Sequence, residues 1–329
     1  MFAVPTGGLL VSCNLFAYFA YFVLLYSYMI EILGHKVVLN FFEKVRENDK
    51  LSHAYCFVGP KNVGKFTVAK FLSAQILGLS IEKLFTSPDL FLLEQIIKPK
   101  TGKLGKDIGI DQVRELVSFL SQHSFLGGYK VAIIDNADLL SVNASNALLK
   151  TLEEPKSKTL IFLITDDEKK LLPTILSRCQ SIFFSTVLQD LIQNFLDKTT
   201  LSIEKKEYIL NYSCGLPGIA VKLTMDEDYF LEYSQEVKRF EDLFGRFFYE
   251  KLKIVEDLFG DKKDHIQARK YLREVLRIWQ INLHVFLKSN KLDRQTALNL
   301  YNSINQANEL LIKNVHPRLL VENILLQIP

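Results

Sequence analysis

The sequence contains no C-x-x-C pair, and its four cysteines, Cys13, Cys56, Cys179 and Cys214, stand far apart. That argues against a cysteine-built zinc cage, and scattered single thiols suit a reducing cytosol. A charge imbalance is also missing: 40 Lys and Arg against 37 Asp and Glu leave a formal charge of +3. Nothing in that balance pulls the whole molecule toward nucleic acid. There is no convincing internal repeat and no low-complexity segment. The first 30 residues carry no charge at all. Residues 9–30 are long and apolar enough to span a bilayer, yet no basic stretch precedes them, so a secretory signal fits poorly. Two expectations compete for residues 1–28. One is a membrane anchor. The other is a start at Met29, favoured because an ordinary soluble pattern resumes at Glu31 with almost no linker.

What is present is an alternation of strand and helix signals. A chain of 329 residues suggests two or three domains. Residues 54–58, 89–94, 131–135 and 159–165 read as short apolar strands. Helical patterns fall at 37–49, 66–77, 112–121 (with Asp111 as the expected cap) and 141–154, where Ser141 is the expected cap and Pro155 the stop. Alternation of this kind predicts an α/β fold, an open and mostly parallel sheet with helices on both faces, over residues 29–186. From Leu188 the period is helical throughout. Residues 188–198, 203–213 and 217–223 read as short helices, and 230–259 and 267–288 as long ones. Trp279 reads as a core residue. The basic turn at 98–106 reads as a solvated hairpin tip, and the acidic stretches 226–228 and 256–264 as solvated faces and turns.

The chemistry-bearing residues come in three groups. Gly59-Pro60-Lys61-Asn62-Val63-Gly64-Lys65-Phe66 follows the phosphate-loop pattern G-x-x-x-x-G-K-[ST] up to its last position. Gly59, Asn62 and Gly64 would let backbone N–H groups wrap a phosphate at a helix start, with Lys65 adding a point charge. The Ser/Thr hydroxyl that normally holds Mg²⁺ is replaced by Phe66, which has no oxygen. Thr67 is next door but points about 100° away on a helix. Second, Asp135 ends a strand as a metal-orienting acid would, but the following position, where a base would activate water, is Asn136, and an amide cannot accept that proton. Asp138 reads as a helix-entry residue. These two independent defects argue against hydrolysis by this chain. Thr165, at another strand end, could still sense a phosphate. Third, Ser177-Arg178-Cys179 offers an arginine just past the nucleotide core, as a ring subunit does when it reaches into a neighbour's site.

In combination these segments resemble the AAA+ subunits of the bacterial DNA polymerase III clamp loader, most closely the delta-prime branch. The resemblance rests on LSHAY at 51–55, IDQVREL at 110–116, NALLKTLEEP at 146–155, LPTILSRCQ at 172–180 and NVHPRLLVE at 314–322, in that order. It covers roughly residues 30–329. It implies a parallel-sheet P-loop module (29–186), a small helical lid (187–225) and an all-α collar (226–329) that joins a five-membered ring. The ring's partners would be the ATPase subunits, the delta subunit, the sliding clamp and primer–template DNA. The role of trans-acting arginine finger would fall on Arg178, with Ser177 and Cys179 as motif neighbours. Gly59, Asn62, Gly64, Lys65, Asp135 and Thr165 would line a vestigial nucleotide site. The lid arginine of the ATPase subunits would fall near Gly218 or Ile219, and neither is basic. Many relatives carry a four-cysteine zinc module after the loop helix, but residues 77–89 have no cysteine, so no zinc is expected. Leu148, Leu149 and Leu152 are expected to pack their helix rather than contact a partner. The expectation is a cytoplasmic, non-hydrolysing subunit of the polymerase holoenzyme that requires no cofactor, with nucleotide binding left open. An active ATPase of the gamma/tau type and a membrane-anchored AAA+ adaptor are the alternatives.

Overall fold

The computed structural model describes residues 32–98, 103–105, 107–156, 158–259, 265–313 and 315–329. The apolar segment 9–30, the start at Met29 and the tip of the basic turn lie outside the described residues. Among those described, no helix is long and apolar enough to cross a membrane.

The chain opens with α1 (Lys36–Glu47), β1 (Ala54–Val58), α2 (Lys65–Leu77) and the short α3 (Ile81–Leu84). Then come β2 (Leu90–Leu93), a two-stranded antiparallel pair β3 (Ile97–Lys98) and β4 (Lys103–Leu104), and α4 (Ile110–Ser121). The second half of the module is β5 (Lys130–Ile134), α5 (Val142–Glu153), β6 (Thr159–Thr165), α6 (Pro173–Leu176) and β7 (Gln180–Phe183). Five strands form one parallel sheet in the order β2-β5-β6-β1-β7. β1, β5 and β6 are buried along their whole length. This is why they read as unbroken apolar runs rather than alternating ones, as strands covered on both faces do.

Side chains nevertheless alternate between two cores, as the pleat requires. Tyr55, Phe57, Val131, Ile133, Phe162 and Ile164 face a core shared with α2. Cys56, Val58, Ala132, Ile134, Ile161 and Leu163 face a second core with α4 and α5. Leu148 and Leu152 are buried there and Leu149 is half-buried against it, so all three pack their helix as expected. Ser141 caps α5 by accepting from the Ala144 amide at 3.3 Å. Asp111 does not cap α4. That helix starts two residues earlier, at Ile110 behind Gly109, whose N–H donates to Gln112 Oε1 at 3.1 Å, and Asp111 sits in the first turn paired with Arg114.

The sheet has one fully buried carboxylate, Asp89, at the entrance to β2. Its oxygens accept from the Phe125 and Leu126 amides, each at 2.8 Å, and from Ser124 Oγ at 2.9 Å. The buried Lys130 ammonium lies 3.7 Å from it and 3.8 Å from the centre of the Phe119 ring.

From Gln189 the chain is helical: α7 (Gln189–Asp197), α8 (Ile203–Ser213), α9 (Pro217–Met225), α10 (Glu227–Glu241), α11 (Phe248–Val255), α12 (His265–Lys288), α13 (Arg294–Ile312) and α14 (Pro317–Leu325). The pattern read as one helical stretch over 230–259 is broken at 242–247, where Gly245 takes φ +70°. Asp226, read as part of a solvated face, caps α10 by accepting from the Tyr229 amide at 2.9 Å. Glu256 and Asp257 likewise pair with Arg318 and Arg239. Trp279 is fully buried, in a third core with Phe240, Leu300, Ile304, Val321 and Ile324. Helix α12 belongs to two cores at once: Trp279 and Leu283 enter the third, while Ile278 and Ile281 enter the first.

Candidate functional site

The phosphate loop leaves the carboxyl end of β1, next to β6, where the strand order reverses. Open parallel sheets hold ligands at this place. Gly59 has to be glycine, because a Cβ there would lie 2.3 Å from the Phe184 carbonyl oxygen. Gly64 (φ +109°) turns the chain into α2, and Asn62 at the loop tip is also left-handed, φ +64°. Lys65 is buried, and its ammonium is fully engaged. It donates to the Gly59 carbonyl, to the Pro60 carbonyl at 3.0 Å and to Asp166 Oδ1 at 2.9 Å. Phe66 packs against the first core with the Lys70 ammonium 5.3 Å from its ring centre. Thr67 lines a cavity of about 280 Å³ with Leu33, His35, Lys70, Val221 and Lys222, and Asp135 and Asp166 do not line that cavity. Thr67 thus borders a different space from Asp135 and Asp166.

At the tip of β5, Asn136 Nδ2 donates to Asp135 Oδ2 at 2.8 Å. Burial pushes the Asp135 carboxyl above its ordinary range, and Glu94 and Asp166 add to the rise against the opposing Asn136 bond and Lys65. Asp138 falls in a short 3₁₀ turn, Ala137–Leu139, and is raised by burial and then by Asp166. The polar end of the sheet thus gathers Asp135, Asp138 and Asp166 with the Lys65 and Lys170 ammoniums and the Arg273 guanidinium. Thr165 is buried, with its hydroxyl donating to the Asp167 carbonyl at 3.0 Å and accepting from the Asp167 amide at 3.2 Å. It closes a turn.

Helix α9 comes down on the loop itself. The Gly218 N–H donates to the Asn62 carbonyl at 2.8 Å, and a Cβ at 218 would sit only 2.8 Å from that oxygen. Ile219 is fully buried. A long basic side chain at either position is therefore incompatible with this packing. The residues present fit magnesium-bound triphosphate poorly. The lysine is paired internally, and an aromatic ring stands where the metal-binding hydroxyl would be. Among the described residues no group of three or more His, Cys, Asp or Glu is placed to hold a metal ion.

Arg178 lies elsewhere. It precedes β7, whose Gln180 pairs with Tyr55 and whose Phe183 pairs with Val58. By that register Arg178 stands level with the residue before β1, while Gly59 follows its far end. Six residues of parallel strand separate the two levels, roughly 20 Å at about 3.3 Å per residue. The guanidinium is one-third exposed. It donates to the Thr174 carbonyl at 2.8 Å and to Ser177 Oγ at 3.1 Å, and pairs with Glu153. Ser177 Oγ in turn donates to the Thr174 carbonyl at 3.1 Å. Burial pushes the Cys179 thiol up to about 12, so it is a packing residue rather than a nucleophile.

The structure thus brings Gly59, Asn62, Gly64, Lys65, Asp135 and Thr165 to one end of the sheet and leaves Ser177, Arg178 and Cys179 at the other. Sequence reasoning missed Asp166, Glu153, Glu274 and Arg277. Asp166 had a signal, an acid one residue past a strand end. The others meet their partners only through the tertiary fold.

Residues 34–187 match the family model described as DNA polymerase III, delta subunit. A DNA polymerase III subunit delta' of Pseudomonas aeruginosa is 40% identical over 142 residues, covering 39% of this chain and 42% of that relative. The subunit delta' of Bacillus subtilis is 31% identical over 214 residues, 61% of this chain and 62% of the relative. These alignments span less than two thirds of each relative's length. The DNA polymerase III subunit tau of Bacillus subtilis is more distant, 26% identical over 224 residues, 64% of this chain and 39% of that one. Among solved structures, a gamma-subunit-related protein of Thermotoga maritima aligns over 87% of this chain and 97% of its own at 18% identity, with a TM-score of 0.45, too loose a likeness to carry weight. The α/β fold class rests instead on the five-stranded parallel sheet and its phosphate loop. Residues 34–187 are thus similar to the DNA polymerase III delta-subunit family, and the relatives matched there include delta-prime subunits from several bacteria.

Proposed function

We propose that the chain is a clamp-loader subunit that lends Arg178 to a neighbouring subunit's ATP site and does not hydrolyse ATP itself. The observation that carries this reading is that Arg178 lies off one end of the β1–β7 strand pair and the chain's own loop off the other. An arginine that far from its own phosphate loop has no use there, but it is one-third exposed and available to another molecule. In such a role the guanidinium would stabilise charge developing on a transferring phosphoryl group, after exchanging one of its internal acceptors, Glu153 or the Thr174 carbonyl, for phosphate oxygens. The absence of a hydroxyl at Phe66 and of a carboxylate at Asn136, and the pairing of Lys65 with Asp166, support a silent home site.

The partners of this reading are the loader's ATPase subunits and delta subunit, the sliding clamp, and primer–template DNA reached through the assembled ring. Residues 29–186 would serve as the AAA+ module, 187–225 as lid and 226–329 as collar, within a cytoplasmic polymerase III holoenzyme. No cofactor or zinc is required. The test is ATP turnover of the loader reconstituted with this chain, with and without Arg178→Ala, beside the isolated chain. The expected result is a silent isolated chain and a fall of about 10³- to 10⁵-fold at the neighbouring site that Arg178 serves. Unchanged turnover in the assembled ring would sink the proposal.

A further inference from the structure

The phosphate loop is held from three directions by the chain itself. Inside, Lys65 pairs with Asp166. From α9, the Gly218 N–H holds the Asn62 carbonyl at 2.8 Å. From α12, Glu274 pairs with Lys61, and Arg277 grips the Asn62 side chain. With the amide oriented so that its oxygen faces Arg277, Asn62 accepts from Nη1 at 2.7 Å and from Nη2 at 2.6 Å. Arg277 Nη2 also lies 3.2 Å from Glu274 Oε2, which ties the two α12 residues together. Burial alone would raise the Glu274 carboxyl, but Arg277 and Lys61 outweigh it and hold it below its ordinary range. In a working phosphate loop the lysine and the backbone donors are satisfied by an external anion. Here Asp166 supplies the anion on Lys65 from within, and both oxygens of Asn62, backbone and side-chain, already accept hydrogen bonds.

We infer that this loop is an internal latch: Asp166 takes the position of a phosphate on Lys65, and Asn62, gripped by Gly218 and Arg277, fastens the sheet, α9 and α12 together with no ligand. The mechanical task that nucleotide performs in a responsive module is carried out by side chains that are always there. An incoming triphosphate has to displace Asp166 from Lys65 before it can take that ammonium. The latch goes beyond the arginine reading. The two share the Lys65–Asp166 pair as support for a silent home site, but Arg178→Ala in the assembled ring tests the arginine and hydrogen exchange in the isolated chain tests the latch.

Amide hydrogen exchange of the isolated full chain, with and without magnesium ATP, tests it. Wild type should show the same protection over residues 59–65 and 217–225 in both conditions. Arg277→Gln combined with Glu274→Gln should raise exchange at least tenfold over both stretches while the far-UV circular dichroism spectrum is unchanged. Asp166→Asn, nearly isosteric, should free Lys65 and give protection of 59–65 by ATP, which Lys65→Met then abolishes. If the Asn variant does not fold, Asp166→Ser is the replacement. Unaltered exchange in the double variant, ATP-dependent protection of the wild-type loop, or no protection after removal of the Asp166 charge overturns the latch.

Discussion

Phe66 fills the position where a metal-binding hydroxyl would stand, and its ring packs against the core with the Lys70 ammonium beside it. On the proposed reading a hydroxyl at 66 is not enough for hydrolysis, because Asn136 cannot take a proton and Lys65 is paired with Asp166. The Phe66→Thr chain, isolated, is expected to turn over no ATP and to lose about 1–2 kcal/mol of stability from the apolar surface it gives up. A coupled-enzyme assay and a urea melt read the two effects. The opposite outcome, turnover by the single variant, would mean that Phe66 alone silences the site. The two defects at 66 and 136 were legible in the sequence because a motif fixes what chemistry each position must supply. Asp166 was not legible as Lys65's partner. Its role depends on where β6 ends beside β1, a tertiary fact that spacing along the chain does not contain.

At the scale of single elements, Asp89 joins three pieces, the entrance of β2, the loop 124–126 and Lys130 on β5. Burial alone would raise its carboxyl pKa. The Phe125 and Leu126 amides, Ser124 and Lys130 outweigh burial and bring it below the ordinary 3.8. A carboxyl with a lower pKa folded than unfolded stabilises fully above the unfolded value, and that contribution is lost as pH falls through the folded one. Thermal melts below pH 4 should therefore show wild type losing a stability that Asp89→Asn never had. Asp89→Ala, which leaves the Lys130 charge buried without its partner, should cost about 3–5 kcal/mol at neutral pH. A cost below 1 kcal/mol would show that the loop holds itself. Most of the elements that were predicted fall within a residue or two of those observed, since the buried parallel strands are short apolar runs and the helices carry caps such as Ser141, while β7 and α13 were not predicted. The errors have local causes. The α4 start moved to Gly109 because the Gln112 side chain reaches back to that amide, a bond that an acidic residue at 111 imitates in sequence. The long helical reading over 230–259 failed at Gly245, where apolar periodicity continues through a backbone turn.

Across the whole molecule, α12 is the connecting part. It places Trp279 in the C-terminal core, Ile278 and Ile281 in the core beneath the sheet, and Arg277 on the phosphate loop. A helix shared in this way couples the two halves. Trp279 is the single tryptophan, so its fluorescence reports the C-terminal core alone, while far-UV circular dichroism reports all the helices. The two signals should trace one urea transition with the same midpoint, and Ile133→Ala, deep in the sheet, should shift both by about 2–5 kcal/mol equivalents. Separate midpoints would mean that the helical half folds on its own. None of this coupling was visible in the sequence, where 267–288 reads simply as a long amphipathic helix.

The strand pair β1–β7 carries the loop at one end and Arg178 at the other. That gives the module a front and a back. Copies of such modules joined back to front can follow one another in a single sense only, and the contact is heterologous, so the row either closes into a ring or grows as an open filament. On the proposed reading, a member that offers an arginine at its back and holds its own front without nucleotide gives to the next module and asks nothing of the one before.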